Sequence, residues 1–326
     1  MNYPKVSIVT PSFNQGNFIE QTILSILDQE YPNLEYIIID GGSSDETLDI
    51  IKKYENRLTY WVSEKDKGQS DAINKGLAHC TGDIFNWVNS DDFLEPNSLH
   101  FIAQEYMEQP FTALCGRVNV LDESVLSHVR KPSYLALTKA ETIADFNINQ
   151  EGTWWSLDAV KQLRGVNTDF KYIMDLDLWI RALLLYDSSS FRSTGQILSN
   201  FRRHADAKST QNAHLSDTEN GFIIEQFELF TALLPNSCSF KSYFSLFNQP
   251  EERSKKLVYI LNEEMKEEIT SWYLFCQLKK SFYTNQLGKT KLLFRTLKSF
   301  ELPNFSKDLR YIRRKLFLKK LFHRNI

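Results

Sequence analysis

The sequence predicts an α/β fold: a mixed, mainly parallel sheet flanked by helices, followed by a C-terminal helical extension. Three observations carry this expectation. Short apolar runs alternate with segments of helical periodicity from Lys5 to Val88. The runs are apolar throughout, as in strands covered on both faces. Each also ends in a cluster of small polar or acidic residues, and ligands of open α/β sheets sit beyond the carboxyl ends of the strands.

Lys5 to Thr10 (KVSIVT) reads as the first strand, and Pro11-Ser12-Phe13-Asn14-Gln15-Gly16 as a loop of turn-formers. A helix follows from near Asn17, with Phe18, Ile19, Ile23, Leu24, Ile26 and Leu27 at helical spacing and Pro32-Asn33 at its exit. Leu34 to Ile39 is the second strand and runs into Asp40-Gly41-Gly42. Ser43 and Glu46 have the spacing of a capping box, which predicts a helix with Leu48, Ile50, Ile51 and Tyr54 inward. Leu58 to Val62 is a third strand, Ser70 to Ala78 a helix, and Ile84 to Val88 a strand ending in Asn89-Ser90-Asp91-Asp92. Strand and helix in strict alternation imply parallel pairing through right-handed crossovers. Further on, Phe111 to Leu121 and Gln196 to Phe201 read as strands, whereas Asp122 to Ala140 is too mixed to assign.

The composition is that of an ordinary globular protein, with 42% hydrophobic and 24% charged residues in 326. A net charge of −3 argues against a generic nucleic-acid binder. Cys80, Cys115, Cys238 and Cys276 form no C-x-x-C pair, so no zinc cluster or disulfide scaffold is indicated, and a reducing cytoplasm is expected. The start, MNYPKVSIVTPSF, lacks the basic and apolar regions of a secretory signal, and no run approaches the ~18 apolar residues of a membrane span.

Asn89, Ser90, Asp91 and Asp92 form a hard-oxygen set suited to Mg²⁺ or Mn²⁺, although a solvated Asp-rich turn would use the same residues. Neither G-x-G-x-x-G nor G-x-x-x-x-G-K-[ST] occurs. Carboxylates at strand ends without a glycine cradle point to a nucleotide diphosphate held through a metal, with Asp91 as ligand and Asp40 facing a base N–H.

VSIVTPSFNQ, IIIDGGSSDET, SEKDKGQSDAINKG, GDIFNWVNSDD and YIMDLDLWIR, in this order, resemble the family 2 glycosyltransferases over the first two-thirds of the chain. The resemblance implies a GT-A (Rossmann-like) fold, inverting transfer from a nucleotide sugar, most often a UDP-sugar, and a divalent cation. It divides residues 1–215 into a nucleotide half, 1–110, and an acceptor half, 111–215, with 216–326 as extension. Thr10, Pro11, Phe13 and Asn14 would border the nucleotide, and Asp40, beside Gly41, would receive the N3–H of uracil. Lys67, Gln69 and Asp71 would contact nucleotide or sugar. The family's D-x-D motif falls on Asn89-Ser90-Asp91, where an amide replaces the first acid and leaves Asp91 as the metal ligand. Asn89 still hydrogen-bonds but adds no charge.

Asn149 to Trp155 (NQEGTWW) borders the acceptor in this family, so Gln150, Trp154 and Trp155 are acceptor-side candidates, the tryptophans by stacking on sugar; core burial is the alternative. Asp175 takes the second position of the family's Glu-Asp pair, with Met174 in the first, and is the implied general base. Asp177, two residues on, faces elsewhere and reads as a helix-terminal charge. Arg203 and His204, in the stretch Arg202 to Ser209, resemble the family's basic loop near the diphosphate. The acceptor is expected to be a glycan or lipid-linked saccharide. Two rivals remain: a sugar-nucleotidyltransferase, and a silent nucleotide-sugar-binding subunit left by the missing acids at Asn89 and Met174.

Phe222 to Leu234 and Lys256 to Lys280 suggest helices, and Lys307 to Ile326 interleaves basic and apolar residues as a basic amphipathic helix. It would serve as a contact with anionic membrane, placing the enzyme peripherally on an inner membrane face, as a homo-oligomer interface, or as a solvated tail.

Overall fold

The structure is a computed structural model that describes residues 3–122, 124–133, 135–136, 138–212, 215, 220–234, 259, 261–297, 310–312 and 314–315. The chain divides into two compact units, 1–135 with 147–227, and 136–146 with 228–326.

The first unit is built on β1 (Val6–Ser12), β2 (Leu34–Asp40), β3 (Tyr60–Ser63) and β4 (Ile84–Trp87), which lie in the order β3-β2-β1-β4 and are all parallel. Val6, Ile8, Val9, Ile37, Ile38, Ile39, Ile84 and Phe85 are fully buried, which is why these strands read as unbroken apolar runs. The crossovers run through α1 (Ile19–Leu27), α2 (Thr47–Tyr54) and α3 (Gln69–His79). α1 turns Ile19, Ile23, Ile26 and Leu27 inward at helical spacing.

Beyond β4 the sheet becomes mixed. β8 (Thr153–Ser156) pairs antiparallel with both β4 and β6 (Ala113–Asp122), and β6 pairs parallel with β9 (Phe191–Arg203). The short β5 (Phe93–Leu94) closes onto β9, and β7 (Val125–Arg130) forms a hairpin with β6. Helices α4 (Ser98–Glu108), α6 (Leu157–Gln162), α7 (Met174–Leu185) and α8 (Lys208–Asn212) complete this unit; α5 (Lys139–Ala144), between α4 and α6 in the chain, belongs to the second. α9 (Gly221–Leu233) begins in it. In the second unit α10 (Glu263–Tyr283) packs against α5 and α11 (Leu287–Leu297), burying Ile269, Leu274, Leu278, Leu293 and Leu297.

Several sequence expectations shift. The third strand starts two residues later than predicted, at Tyr60, and the unassigned stretch after Asp122 contains β7 and the start of α5. The capping box does not form. The N-cap of α2 is Glu46, without a side-chain cap, because the Ser43 hydroxyl donates to Asp40 and accepts from the Asn14 N–H instead. Most of the basic stretch from Lys307 to Ile326 lies outside the described residues. Among the described residues no helix is long and apolar enough to cross a membrane.

Close helix–sheet packing depends on Gly76 in α3, where an added Cβ would stand 2.4 Å from Val9 Cγ1 on β1. Gly76→Ala is expected to destabilise the protein by ~1–3 kcal/mol through overpacking, seen as a lower urea midpoint with an unchanged slope.

Candidate active site

Parallel register brings the strand ends together: Ser12 lies beside Asp40, and Asp40 beside Ser63. Here the structure departs from the expectation for Asp40, which is 0% exposed. Its carboxylate accepts the N–H groups of Gly42 (3.0 Å) and Ser43 (2.9 Å) and the hydroxyls of Ser43 (2.5 Å) and Ser63 (2.6 Å). Those donors fill about all of its four lone-pair positions, so Asp40 shapes the loop and presents no vacant acceptor to a base. Thr10 is equally buried, its hydroxyl 3.0 Å from that of Tyr36, and Pro11 is buried with it. Of the expected first-loop residues, Phe13 and Asn14 are exposed. A Cβ at Gly41 would stand 2.8 Å from Asp66 Oδ2, so a larger residue there would displace the Asp66 carboxylate.

The acidic loop after β4 is tied down at both ends. The Thr22 hydroxyl on α1 lies 2.9 Å from the Ser90 carbonyl oxygen and 2.6 Å from that of Asp92. Asp92 points inward, 2% exposed, and accepts the backbone N–H of Arg202 (3.0 Å) and the Asn89 amide (3.1 Å). Burial, with Asp91 and Glu151 nearby, holds its carboxyl well above the usual range. Asp91 is instead partly exposed, with Oδ2 3.0 Å from His204 Nε2. The His204 ring leans on Phe18, centroids 4.4 Å apart, and its Nδ1 is buried without a partner.

A chain of side-chain hydrogen bonds runs beside this loop. Lys208 Nζ donates to Gln69 (2.8 Å), Gln69 to Asn89 (2.7 Å), Asn89 to Gln150 (3.4 Å), and Gln150 to the Trp87 carbonyl (2.7 Å). Gln150, expected on the acceptor side, commits its amide to this chain. Lys67 is exposed and gives its N–H to Asp71, which also lies 3.6 Å from Lys75, so Asp71 serves the start of α3.

Asp175 stands at the start of α7, partly exposed, and accepts the Leu176 N–H at 2.9 Å. Desolvation pushes its carboxyl up to about 6, opposed by that N–H and helped by the charge of Glu151. Glu151 itself is raised by burial, lowered by Arg130 at 3.8 Å, and raised by Asp91; its Oε2 has no hydrogen-bond partner. The Glu151 charge therefore raises Asp175, as the Asp91 charge raises Glu151. Asp177 is structural, as expected, forming an ion pair with Arg181 at 2.6 Å.

Two expectations are overturned. Arg203 turns away to Asp122 (2.8 Å) and Ser127 (3.0 Å), and Arg202 is the arginine beside the acids, bonded to Gln21 (2.8 Å) and 4.9 Å from the Phe18 ring. Successive strand residues face opposite sides, so in β9 only one of the two can look toward Asp92. Trp154 and Trp155 are 0% and 1% exposed, and Trp155 meets Trp179 edge-on at 4.9 Å. They belong to the core because β8 is a central strand. Sequence reading put Arg202 in the basic stretch but singled out Arg203, which strand alternation could have corrected; it missed Glu151, which nothing in a polar loop marks as lying near the other acids.

The model of the family "Glycosyl transferase family 2" matches residues 7–180. The chain belongs to this family. Among its relatives is an uncharacterized glycosyltransferase of Mycobacterium tuberculosis, 30% identical over 198 residues, or 58% of this chain and 72% of the relative. A Bacillus subtilis protein named for teichuronic acid biosynthesis, TuaG, is 37% identical over 109 residues, 32% of this chain and 43% of that one. Staphylococcus aureus TarS 1–349 in complex with UDP-GlcNAc superposes with a TM-score of 0.60 at 16% identity, over 96% of this chain and 88% of TarS. A Pyrobaculum calidifontis mannosyltransferase with GDP-Man and Mn²⁺ gives 0.50 at 15% identity, over 99% and 88%. The fold is GT-A and this family 2 enzyme is a glycosyltransferase, which sets aside the nucleotidyltransferase and the silent subunit.

Asn89 donates to Asp92, so restoring the family's acid should harm this enzyme. Asn89→Asp is expected to cost ~1–3 kcal/mol at pH 7 by facing one carboxylate with another. The introduced carboxyl would have a raised pKa in the folded state, so the loss should shrink as pH falls toward that value. Melting temperatures from pH 7 to pH 5 measure this.

Proposed function

We propose that this enzyme transfers a sugar, with inversion, from a nucleotide diphosphate sugar to a saccharide or lipid-linked saccharide acceptor. The pathway would be assembly of a surface polysaccharide or glycoconjugate. The observation that carries the reading is Asp175, a partly exposed carboxylate at the start of α7 whose proton affinity is raised to about 6. Such a group is ionised at neutral pH yet keeps useful proton affinity, as a general base must. Asp175 takes the proton of the attacking acceptor hydroxyl, while Arg202, His204 and Lys208 attract the departing diphosphate. A UDP-sugar is the preferred donor, supported by the UDP-GlcNAc complex of TarS.

The donor set fits a hard divalent cation: Asp91 is the partly exposed carboxylate of the loop, and it would hold the ion through Oδ2 in exchange for its hydrogen bond to His204. Among the described residues no group of three His, Cys, Asp or Glu side chains able to hold a metal occurs. Donor phosphate oxygens and water would complete the shell, the usual arrangement for Mg²⁺ and Mn²⁺. The Mn²⁺ of the Pyrobaculum complex supports the assignment. When bound, the cation supplies charge stabilisation to the leaving diphosphate.

The test is nucleotide release across UDP-, GDP- and dTDP-sugars, with Mn²⁺ or chelator, followed by transfer to candidate acceptors. One donor should turn over with metal, and Asp91→Ala should abolish the metal response. Asp175→Asn should lose at least ~100-fold in transfer rate. The wild-type kcat/KM for transfer should fall about tenfold per pH unit below the pKa near 6 and level off above it. A flat profile, or full activity in Asp175→Asn, would sink the base assignment.

A further inference from the structure

We propose that Glu225, on α9, is the positioning residue that holds the base Asp175 in its reactive place. The inference rests on the reading of Asp175 as base. The N-cap of α7, Ile173, has no side chain able to cap the helix. The backbone before it turns successive N–H groups the same way, and such a run makes a concavity for an anion. The Glu225 carboxylate fills it. It accepts the N–H of Lys171 (2.8 and 3.1 Å to its two oxygens), Tyr172 (2.8 Å) and Ile173 (3.3 Å). Charge-assisted bonds of this kind are the strong ones, and Glu225 is only 7% exposed.

The surrounding contacts hold α9 at the right distance. Phe222 packs on Tyr172 with ring centroids 5.0 Å apart, and a Cβ at Gly221 would stand 2.2 Å from the same tyrosine ring. Glycine is the only residue that lets α9 approach so closely. Asp175 follows Ile173 by two residues and bonds to the first turn through Leu176, so fixing the N–H groups of 171–173 fixes the start of the helix that carries the base. An ordinary helix cap would stabilise α7 without affecting turnover, and the two roles separate by experiment.

The whole chain as wild type, Glu225→Ala, Glu225→Gln and Asp175→Asn is compared by kcat, donor KM and melting temperature, using UDP-N-acetylglucosamine or whichever panel donor turns over. Hydrogen exchange of residues 171–175 is followed in each. Glu225→Ala should exchange the amides of 171–173 faster and lose ~10- to 100-fold in kcat with donor KM within about twofold, the signature of a misplaced reacting group. Glu225→Gln, which keeps one acceptor oxygen, should fall between. A wild-type kcat in Glu225→Ala despite faster exchange would overturn the proposal and leave a plain helix cap. So would parallel loss of kcat, donor affinity and melting temperature in both Glu225 variants. Full activity in Asp175→Asn would instead remove the base reading, independently of what Glu225→Ala shows.

Discussion

The acidic loop depends on the burial of one carboxylate, Asp92, at the end of the strand that leads into it. Hiding a carboxylate from water costs several kcal/mol unless hydrogen-bond donors meet it. Two groups do so, the Arg202 N–H and the Asn89 amide, and each has consequences. Because the first donor belongs to β9, that strand must run alongside β5, with Phe93 opposite Asn200. Its continuation then delivers His204 to Asp91. The second donor is the amide at position 89, where the family pattern has an acid, and Asp91 is left as the exposed acid.

The parallel half of the sheet was legible because burial on both faces leaves a simple trace, unbroken runs such as Leu34 to Ile39. The motifs named Gln69 with Asn89, and Asp91 with His204, pairs that are far apart in the chain and hydrogen-bonded in the structure. What stayed hidden is what depends on direction. Arg202 and Arg203 are adjacent basic residues, and only the pleat of β9 decides which faces Asp92. Trp154 and Trp155 resemble a sugar platform until β8 is known to lie between β4 and β6. Asp40 has the look of a ligand residue, but its acceptor capacity is used within its own turn. Glu225 lies in a stretch with no motif, and its role exists only because α9 folds back on the loop before α7.

The acids of the candidate site are partnered unequally, and this sorts their chemistry. Asp92 is surrounded by donors and buried, so it serves structure. Asp91 faces an imidazole and remains open, so it suits a ligand role. Asp175 accepts one backbone N–H and feels Glu151, a combination that raises its proton affinity without hiding it. For the reaction proposed, negative charge leaves the Asp175 carboxylate as it takes the acceptor's proton, and appears on the diphosphate. The crowding of Glu151 and Asp175 disfavours negative charge at the first place, whereas Arg202, His204 and Lys208 favour it at the second. A fixed gradient of this kind acts without reorganising at the moment of reaction, which is how preorganised charges lower a barrier. It works only if Asp175 keeps its position to within a fraction of an ångström, since misplacing a reacting group by ~1 Å can cost 100-fold. That demand explains why the helix bearing it begins on three N–H groups locked to one buried carboxylate.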